Sequence, residues 1–115
     1  MQDVMTSPEF AAVCHILGAP SIARRTEAYV LDGSFDFPGL AREAETMSGG
    51  EALLVRIASE LWNAERAAGL WELVRRLDNR SFERVIEALW IARGAAAHEI
   101  VAEIVRHASG GRLAA

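Results

Sequence analysis

Lysine is absent from this sequence of 115 residues, so the twelve positive charges all belong to arginine. Without lysine the chain offers no Schiff-base amine and no P-loop residue to reach the β- and γ-phosphates of a nucleotide. A lysine-free chain rich in alanine, glycine and arginine is also what we expect of a GC-rich bacterial or phage genome. The absence excludes a self-sufficient Walker-type ATPase.

Cysteine is almost as scarce, since Cys14 is the only one. One cysteine cannot form an intramolecular disulfide, and a structural zinc site usually takes several cysteines and histidines. The first ten residues lack the basic and apolar regions of a signal peptide, and no run approaches the roughly 20 apolar residues of a membrane span. We therefore expect a cytoplasmic protein with no membrane contact, no metal and no cofactor.

Charge is unevenly distributed along the chain, whose formal net value is −4. Residues 1–47 carry three arginines against seven acids, whereas residues 48–115 carry nine of each. Nucleic-acid-binding proteins usually show a basic footprint, because their affinity comes largely from the release of phosphate counterions. The charge favours a protein partner, and any long-range attraction of a basic partner should come from the N-terminal part.

Apolar residues recur at helical spacing along most of the first half. Ser7 begins a helix that Gly18 ends, and a second helix is predicted over about 20–31. Asp36 then caps a short helix that ends near Glu45.

The second half contains a longer helix after Ser48, followed by "LWELVRRL" and "SFERVIEALWIARG". Ser81 is the expected N-cap and Gly94 the expected end of the latter, and a last helix is predicted over about 95–108. The positions predicted to face the core are Leu53, Leu54, Ile57, Ala58, Leu61 and Trp62, then Leu70, Leu73, Val74 and Leu77, then Phe82, Val85, Ile86, Leu89 and Trp90, and finally Ile100, Val101, Ile104 and Val105.

No β-strand pattern competes with these helices. The sequence therefore predicts an all-α protein, a compact bundle of five or six short helices with one aromatic-containing loop near residues 32–38. A single helical domain should span 7–108, with a disordered N-terminus at 1–6 and a flexible tail at 109–115.

The loop at 32–38 holds two aromatic residues, Phe35 and Phe37, behind a turn signal at Asp32-Gly33. Two interpretations remain open. The loop folds back so that its aromatic rings join the core, or its tip contacts a partner.

Ser48-Gly49-Gly50-Glu51 is similar, in these four positions, to the loop with which ABC-type ATPases contact a nucleotide. The same residues form a capping box, in which Ser48 and Glu51 satisfy each other's free N–H groups at a helix start. Two glycines in the first turn cost about 1 kcal/mol each in helix propensity, which raises the question whether another group approaches the backbone there. A phosphate contact would require another protein's ATP site, so we favour a plain helix cap.

Residues 70–93 resemble a helix-turn-helix in their spacing, because a short helix, a four-residue turn and a longer helix follow one another. In that arrangement Arg80 and Arg84 would face base edges, with Arg75 and Arg76 near phosphates. The segment carries five arginines against four acids, which is a weak basic footprint. A plain antiparallel hairpin gives the same spacing and remains the alternative.

Three tryptophans raise the question of an interface. Trp62 and Trp90 fall on apolar stripes and are predicted to be core residues. Trp71 lies on a short helix whose inward positions are already filled, with Arg75 one turn on. An exposed aromatic beside an arginine is typical of a binding hot spot. The alternative is that Trp71 packs beneath the loop at 32–38.

Candidate catalytic groups are few. Cys14 is more typical of a small buried hydrophobe than of a nucleophile. Glu99, Glu103 and His107 share one helical face, but three ligands on one helix do not surround a metal. We predict that the protein is not an enzyme.

The sequence thus predicts a small non-catalytic protein-protein interaction or regulatory module, and a homo-oligomer remains open. The predicted partner-binding residues are Trp71, Arg75, Phe35 and Phe37. The alternative is a DNA-binding regulator that uses residues 70–93. Its predicted nucleic-acid-binding residues are Arg75, Arg76, Arg80 and Arg84.

Overall fold

The computed structural model describes residues 7–94, and six α-helices follow one another along this part of the chain. They are α1 (Pro8–Leu17), α2 (Ala23–Thr26), α3 (Phe37–Ala44), α4 (Gly49–Asn63), α5 (Leu70–Arg76) and α6 (Asn79–Ala92), with a 3-10 turn (Glu27–Tyr29) directly after α2. Between residues 7 and 94 the only β-type pairing is an isolated bridge from Val30 to Phe35. The prediction of an all-α bundle is confirmed. The predicted terminal segments at 1–6 and 109–115 and the helix at 95–108 lie outside the described residues.

Helix α1 lies at the centre, because it packs against α4 and α6. Ser7 begins it as predicted, since its Oγ accepts from the Phe10 N–H at 3.2 Å, and Gly18 follows its last turn. The buried core residues of these three helices are Phe10, Ala12, Val13, Ile16 and Leu17 on α1, Leu53, Leu54, Val55, Ile57 and Ala58 on α4, and Val85 and Ala88 on α6.

Two polar contacts tie α6 to the end of α1. His15 Nε2 lies 2.6 Å from Glu87 Oε1. Arg84 Nη1 donates to the His15 carbonyl at 2.7 Å, so it satisfies one of the carbonyls left free at a helix C-terminus. The Arg84 guanidinium is therefore part of the α1–α6 packing.

The predicted helix over 20–31 is shorter in the structure, where only α2 and the 3-10 turn form. The chain leaves helical geometry because its next backbone partners lie in the following loop. The Tyr29 carbonyl accepts from the Asp36 N–H at 2.9 Å, and the Leu31 N–H donates to the Ser34 carbonyl at 2.8 Å. These bonds replace the helical ladder and close the loop.

Side chains at this corner join α2 to α3. Arg25 Nε donates to Glu43 Oε2 at 2.9 Å, and the Tyr29 hydroxyl donates to Glu43 Oε1 at 3.0 Å. The Arg25 and Tyr29 hydrogen bonds lower the pKa of Glu43, and the same carboxylate raises the pKa of Tyr29.

Helix α6 begins one turn earlier than predicted. Asp78, not Ser81, is its N-cap, and Asp78 Oδ1 accepts from the Ser81 N–H at 2.7 Å. Both residue types cap helices, and Asp78 adds a further turn before the first core position. Gly94 ends the helix as predicted, with a φ of 93° that favours glycine.

No helix among residues 7–94 has the length and apolar character needed to cross a membrane.

Candidate partner-binding surface

One side of α5 faces solvent and is apolar. Leu70 is 83% exposed, Trp71 64% and Val74 57%. The Arg75 guanidinium lies over the Trp71 ring, 4.9 Å from its centroid, in a cation–π contact. Positions 70, 71, 74 and 75 share one helical face. We call these four residues the α5 face.

The inward positions predicted for α5 were wrong for Leu70 and Val74. Of the four residues predicted to face inward, only Leu73 and Leu77 pack against the core, and no residue of α5 is fully buried. Helix α5 has seven residues and packs mainly against α4, which covers one side of α5 and leaves the other side exposed.

Arg56, on α4, holds α5 in this orientation. Arg56 Nη1 and Nη2 donate to the two oxygens of Glu72 at 3.2 and 3.0 Å, and Nη1 also donates to the Ala67 carbonyl at 3.0 Å. Such a two-pronged contact fixes direction as well as distance. Glu72 Oε1 additionally accepts from the Gly69 N–H at 3.1 Å, which caps the start of α5.

Glu60 fixes the connection that leads into α5. Its Oε1 accepts from the N–H groups of Ala67 and Ala68, both at 3.0 Å. We call Arg56, Glu60 and Glu72 the polar clamp. It positions α5 through hydrogen bonds, where most helices are positioned by a buried apolar stripe.

The start of α4 lies close to the end of α5. The capping box is present, because Glu51 N–H donates to Ser48 Oγ at 3.3 Å and Ser48 N–H to Glu51 Oε1 at 3.1 Å. A Cβ at Gly50 would lie 3.0 Å from the Arg76 carbonyl oxygen. The glycine therefore admits the end of α5.

Glu72 gives the polar clamp a pH dependence. The hydrogen bonds from Arg56 and from the Gly69 N–H lower the pKa of Glu72 below its ordinary value near 4.5. A carboxylate whose pKa is lower in the folded state contributes stability above its unfolded pKa and loses it as pH falls through the folded value. We expect the urea midpoint of the protein to fall as the pH is lowered through about 4.5 and below.

Glu72→Gln tests this pH dependence. The variant should start from a lower urea midpoint at about pH 6 and show a flatter decline on acidification, because the titrating carboxylate is gone. Glu65→Gln changes an exposed carboxylate in the same connection and should leave the wild-type slope. Equal slopes in the wild type and Glu72→Gln would contradict the assignment.

Phe35 and Phe37 do not belong to the α5 face. Phe35 is 8% exposed, stacks on Phe10 at a centroid distance of 4.9 Å and meets the edge of Trp62 at 5.0 Å. Phe35 therefore joins the core, as expected if the loop at 32–38 folds back. Phe37 is half-buried, 5.6 Å from the Phe35 ring, and lines a groove of about 330 Å³ between α3 and α4.

The three tryptophans differ in exposure. Trp62 is half-buried and packs on the core as predicted. Trp90 is 41% exposed, so its predicted core position was wrong, because α6 turns Val85 and Ala88 toward α1 and leaves Trp90 outside. Trp71 is too exposed to pack beneath the loop at 32–38.

The arginines predicted to contact nucleic acid have different surroundings. Arg84 is committed to the His15 carbonyl. Arg75, Arg76 and Arg80 are exposed. Arg80 and Arg84 line a cleft of about 420 Å³ beside the turn after α1, together with Asp78, Glu83 and Glu87. Carboxylates in the same cleft oppose the approach of a phosphate backbone.

Chemically reactive groups are sparse in the part that the structure describes. Cys14 is half-buried against the core, and burial raises the pKa of its thiol, which disfavours the nucleophilic thiolate. Residues 7–94 contain no group of three or more histidine, cysteine or acidic side chains placed to hold a metal ion. Glu99, Glu103 and His107 lie outside the described residues.

No protein-family model, curated protein or solved structure matches this chain.

Proposed function

We propose that the protein is a small non-catalytic module that binds another protein through the α5 face. The exposure of three large apolar side chains on one helix, with Arg75 over the Trp71 ring, carries this proposal. Contiguous apolar patches on soluble domains mark interaction sites, and tryptophan and arginine dominate binding hot spots. Trp71 is the anchor and Arg75 its polar neighbour.

A protein partner fits the α5 face better than a nucleic acid does. Leu70 and Val74 offer apolar contact area that phosphates and sugars cannot use. The chain has a net charge of −4, and Arg84, which a helix-turn-helix would turn toward bases, is engaged with α1. The lysine-free composition favours a GC-rich bacterium or phage as the source, and the single cysteine favours a reducing compartment.

Trp71→Ala tests the proposal. The tagged wild type and the variant are used to capture proteins from nuclease-treated lysate of a GC-rich bacterium, and the captured protein is then purified and titrated. We expect the variant to lose at least about tenfold in affinity, because truncating a hot-spot tryptophan removes its contact area. Far-ultraviolet circular dichroism should be unchanged, since Trp71 is not part of the core.

Trp90→Ala is the matched control. Trp90 is also exposed and has Arg93 over its ring at 5.5 Å, but it lies on α6. Its truncation should change the affinity by less than about threefold. Equal affinity of the wild type and Trp71→Ala for the captured protein would contradict the proposal. Capture that occurs only from lysate without nuclease treatment would favour the nucleic-acid alternative.

A further inference from the structure

The charges around the α5 face are one-sided, although the chain as a whole is acidic. Two carboxylates nearby are already engaged within the protein. Glu72 is held by Arg56, and Asp78 accepts the Ser81 N–H as the cap of α6. Both hydrogen-bonded networks lower the pKa of these carboxyl groups. Glu72 and Asp78 therefore have satisfied oxygens and offer little to an incoming cation.

Three arginines beside the α5 face remain available. Arg75 and Arg76 end α5, Arg80 lies in the first turn of α6, and all three are exposed. None of them forms a salt bridge within residues 7–94, where arginine pairs with carboxylate at Arg25–Glu43 and Arg56–Glu72. On the α5 face itself, Arg75 is the positive group that follows the apolar side chains.

The order of these groups along α5 gives the face a direction. Leu70, Trp71 and Val74 are the first, second and fifth residues of the helix, and Arg75 follows them on the same face. Arg76 lies on the opposite side, where its guanidinium approaches Gly49 at the start of α4. Seven residues span about 10 Å, which matches about two turns of a partner helix. An apolar surface that ends in an exposed arginine is complementary to apolar side chains followed by carboxylates.

We infer that the partner segment is a short amphipathic helix whose apolar face contacts Leu70, Trp71 and Val74 and whose aspartates or glutamates, grouped at one end, contact Arg75. This inference rests on the proposed function and names the chemistry of the partner. Arginine binds carboxylates through paired N–H groups, so the acidic end sets the orientation of the bound helix.

A phage-displayed helical peptide library tests the inference. The peptides carry leucine at one helical face and a random choice of aspartate, asparagine or lysine at the positions near each end. Full-length wild-type protein is the bait, and the Trp71→Ala protein removes clones that bind elsewhere. We expect the enriched clones to carry aspartate at one end, with lysine depleted there.

An enriched peptide is then synthesised together with its asparagine isostere and titrated by fluorescence anisotropy. Its affinity should fall at least about tenfold in the Arg75→Gln variant and should weaken with added salt, whereas the isostere should respond to neither change. Arg24→Gln/Arg42→Gln removes two other exposed arginines, on α2 and α3, and should retain wild-type affinity.

The outcomes separate this inference from the proposed function. Trp71-dependent enrichment without a charge bias, or with a bias toward lysine, overturns the inference and leaves protein binding intact. Absence of any Trp71-dependent clone overturns both. Displacement of the peptide by random duplex DNA that binds the Trp71→Ala protein equally well would overturn the inference in favour of nucleic acid.

Discussion

Phe35→Ala is expected to lower the free energy of unfolding by about 3–5 kcal/mol, the usual cost of truncating a buried phenylalanine. The ring sits among Phe10, Phe37 and Trp62 at centroid distances of 4.9, 5.6 and 5.0 Å. Its removal leaves a cavity that these rings line, and it also removes the aromatic pairings. The loop at 32–38 would lose its attachment to α1 and α4.

Urea denaturation followed by circular dichroism measures this loss, provided that the transition remains two-state. Phe37→Ala is the matched control at the first residue of α3, because Phe37 is only half-buried and its truncation should cost clearly less. A loss below about 1 kcal/mol for Phe35→Ala would mean that the loop is not part of the core.

Gly39→Ala should destabilise the protein by roughly 2–3 kcal/mol, the upper range for overpacking. Alanine normally stabilises a helix relative to glycine by about 1 kcal/mol, so the sign is reversed here. A Cβ at Gly39 would lie 2.5 Å from Tyr29 Cε1 and 2.6 Å from Asp36 Oδ2. The Tyr29 ring is held by its bond to Glu43, and Asp36 caps α3 through the Gly39 N–H at 2.9 Å.

Gly49→Ala is the control for Gly39→Ala. Its Cβ would meet only the mobile guanidinium of Arg76 at 3.4 Å, so the substitution should be neutral or slightly stabilising. Removing the obstructing ring should rescue Gly39→Ala, which predicts that the Tyr29→Ala/Gly39→Ala protein is more stable than the sum of the single changes implies. Additive effects would show that the ring does not obstruct residue 39.

Local signals in the sequence were sufficient to predict much of the fold. Ser48 with Glu51 identified the start of α4, and the apolar stripe at Leu53, Leu54 and Ile57 identified its buried side. Caps and stripes are read within one or two turns, so they need no knowledge of distant residues. The same holds for the start of α1 at Ser7.

The orientation of α5 could not be predicted in this way. Leu70, Leu73, Val74 and Leu77 fall on one apolar stripe, and periodicity does not tell which edge of that stripe is buried. The choice depends on Arg56 and Glu72, which are sixteen residues apart in sequence. A pairing of that range becomes visible only once α4 and α5 lie side by side.

Part of the candidate surface could be predicted from the sequence. The pairing of Trp71 with Arg75 was predicted from a four-residue spacing and is present, whereas Phe35 was assigned to both a partner and the core. A loop carries no periodicity that tells which way a ring points. The direction of Phe35 depends on Phe10 and Trp62, which approach it from α1 and α4.

The attachment of α5 also bears on how such a protein diverges. Since α5 has no fully buried residue and is oriented by the polar clamp, positions 70, 71, 74 and 75 are free of packing constraints. Substitutions there should be tolerated without loss of the fold, whereas loss of Arg56, Glu60 or Glu72 should weaken the attachment of α5. Under the proposed function, such substitutions would change what the α5 face binds while the scaffold is kept.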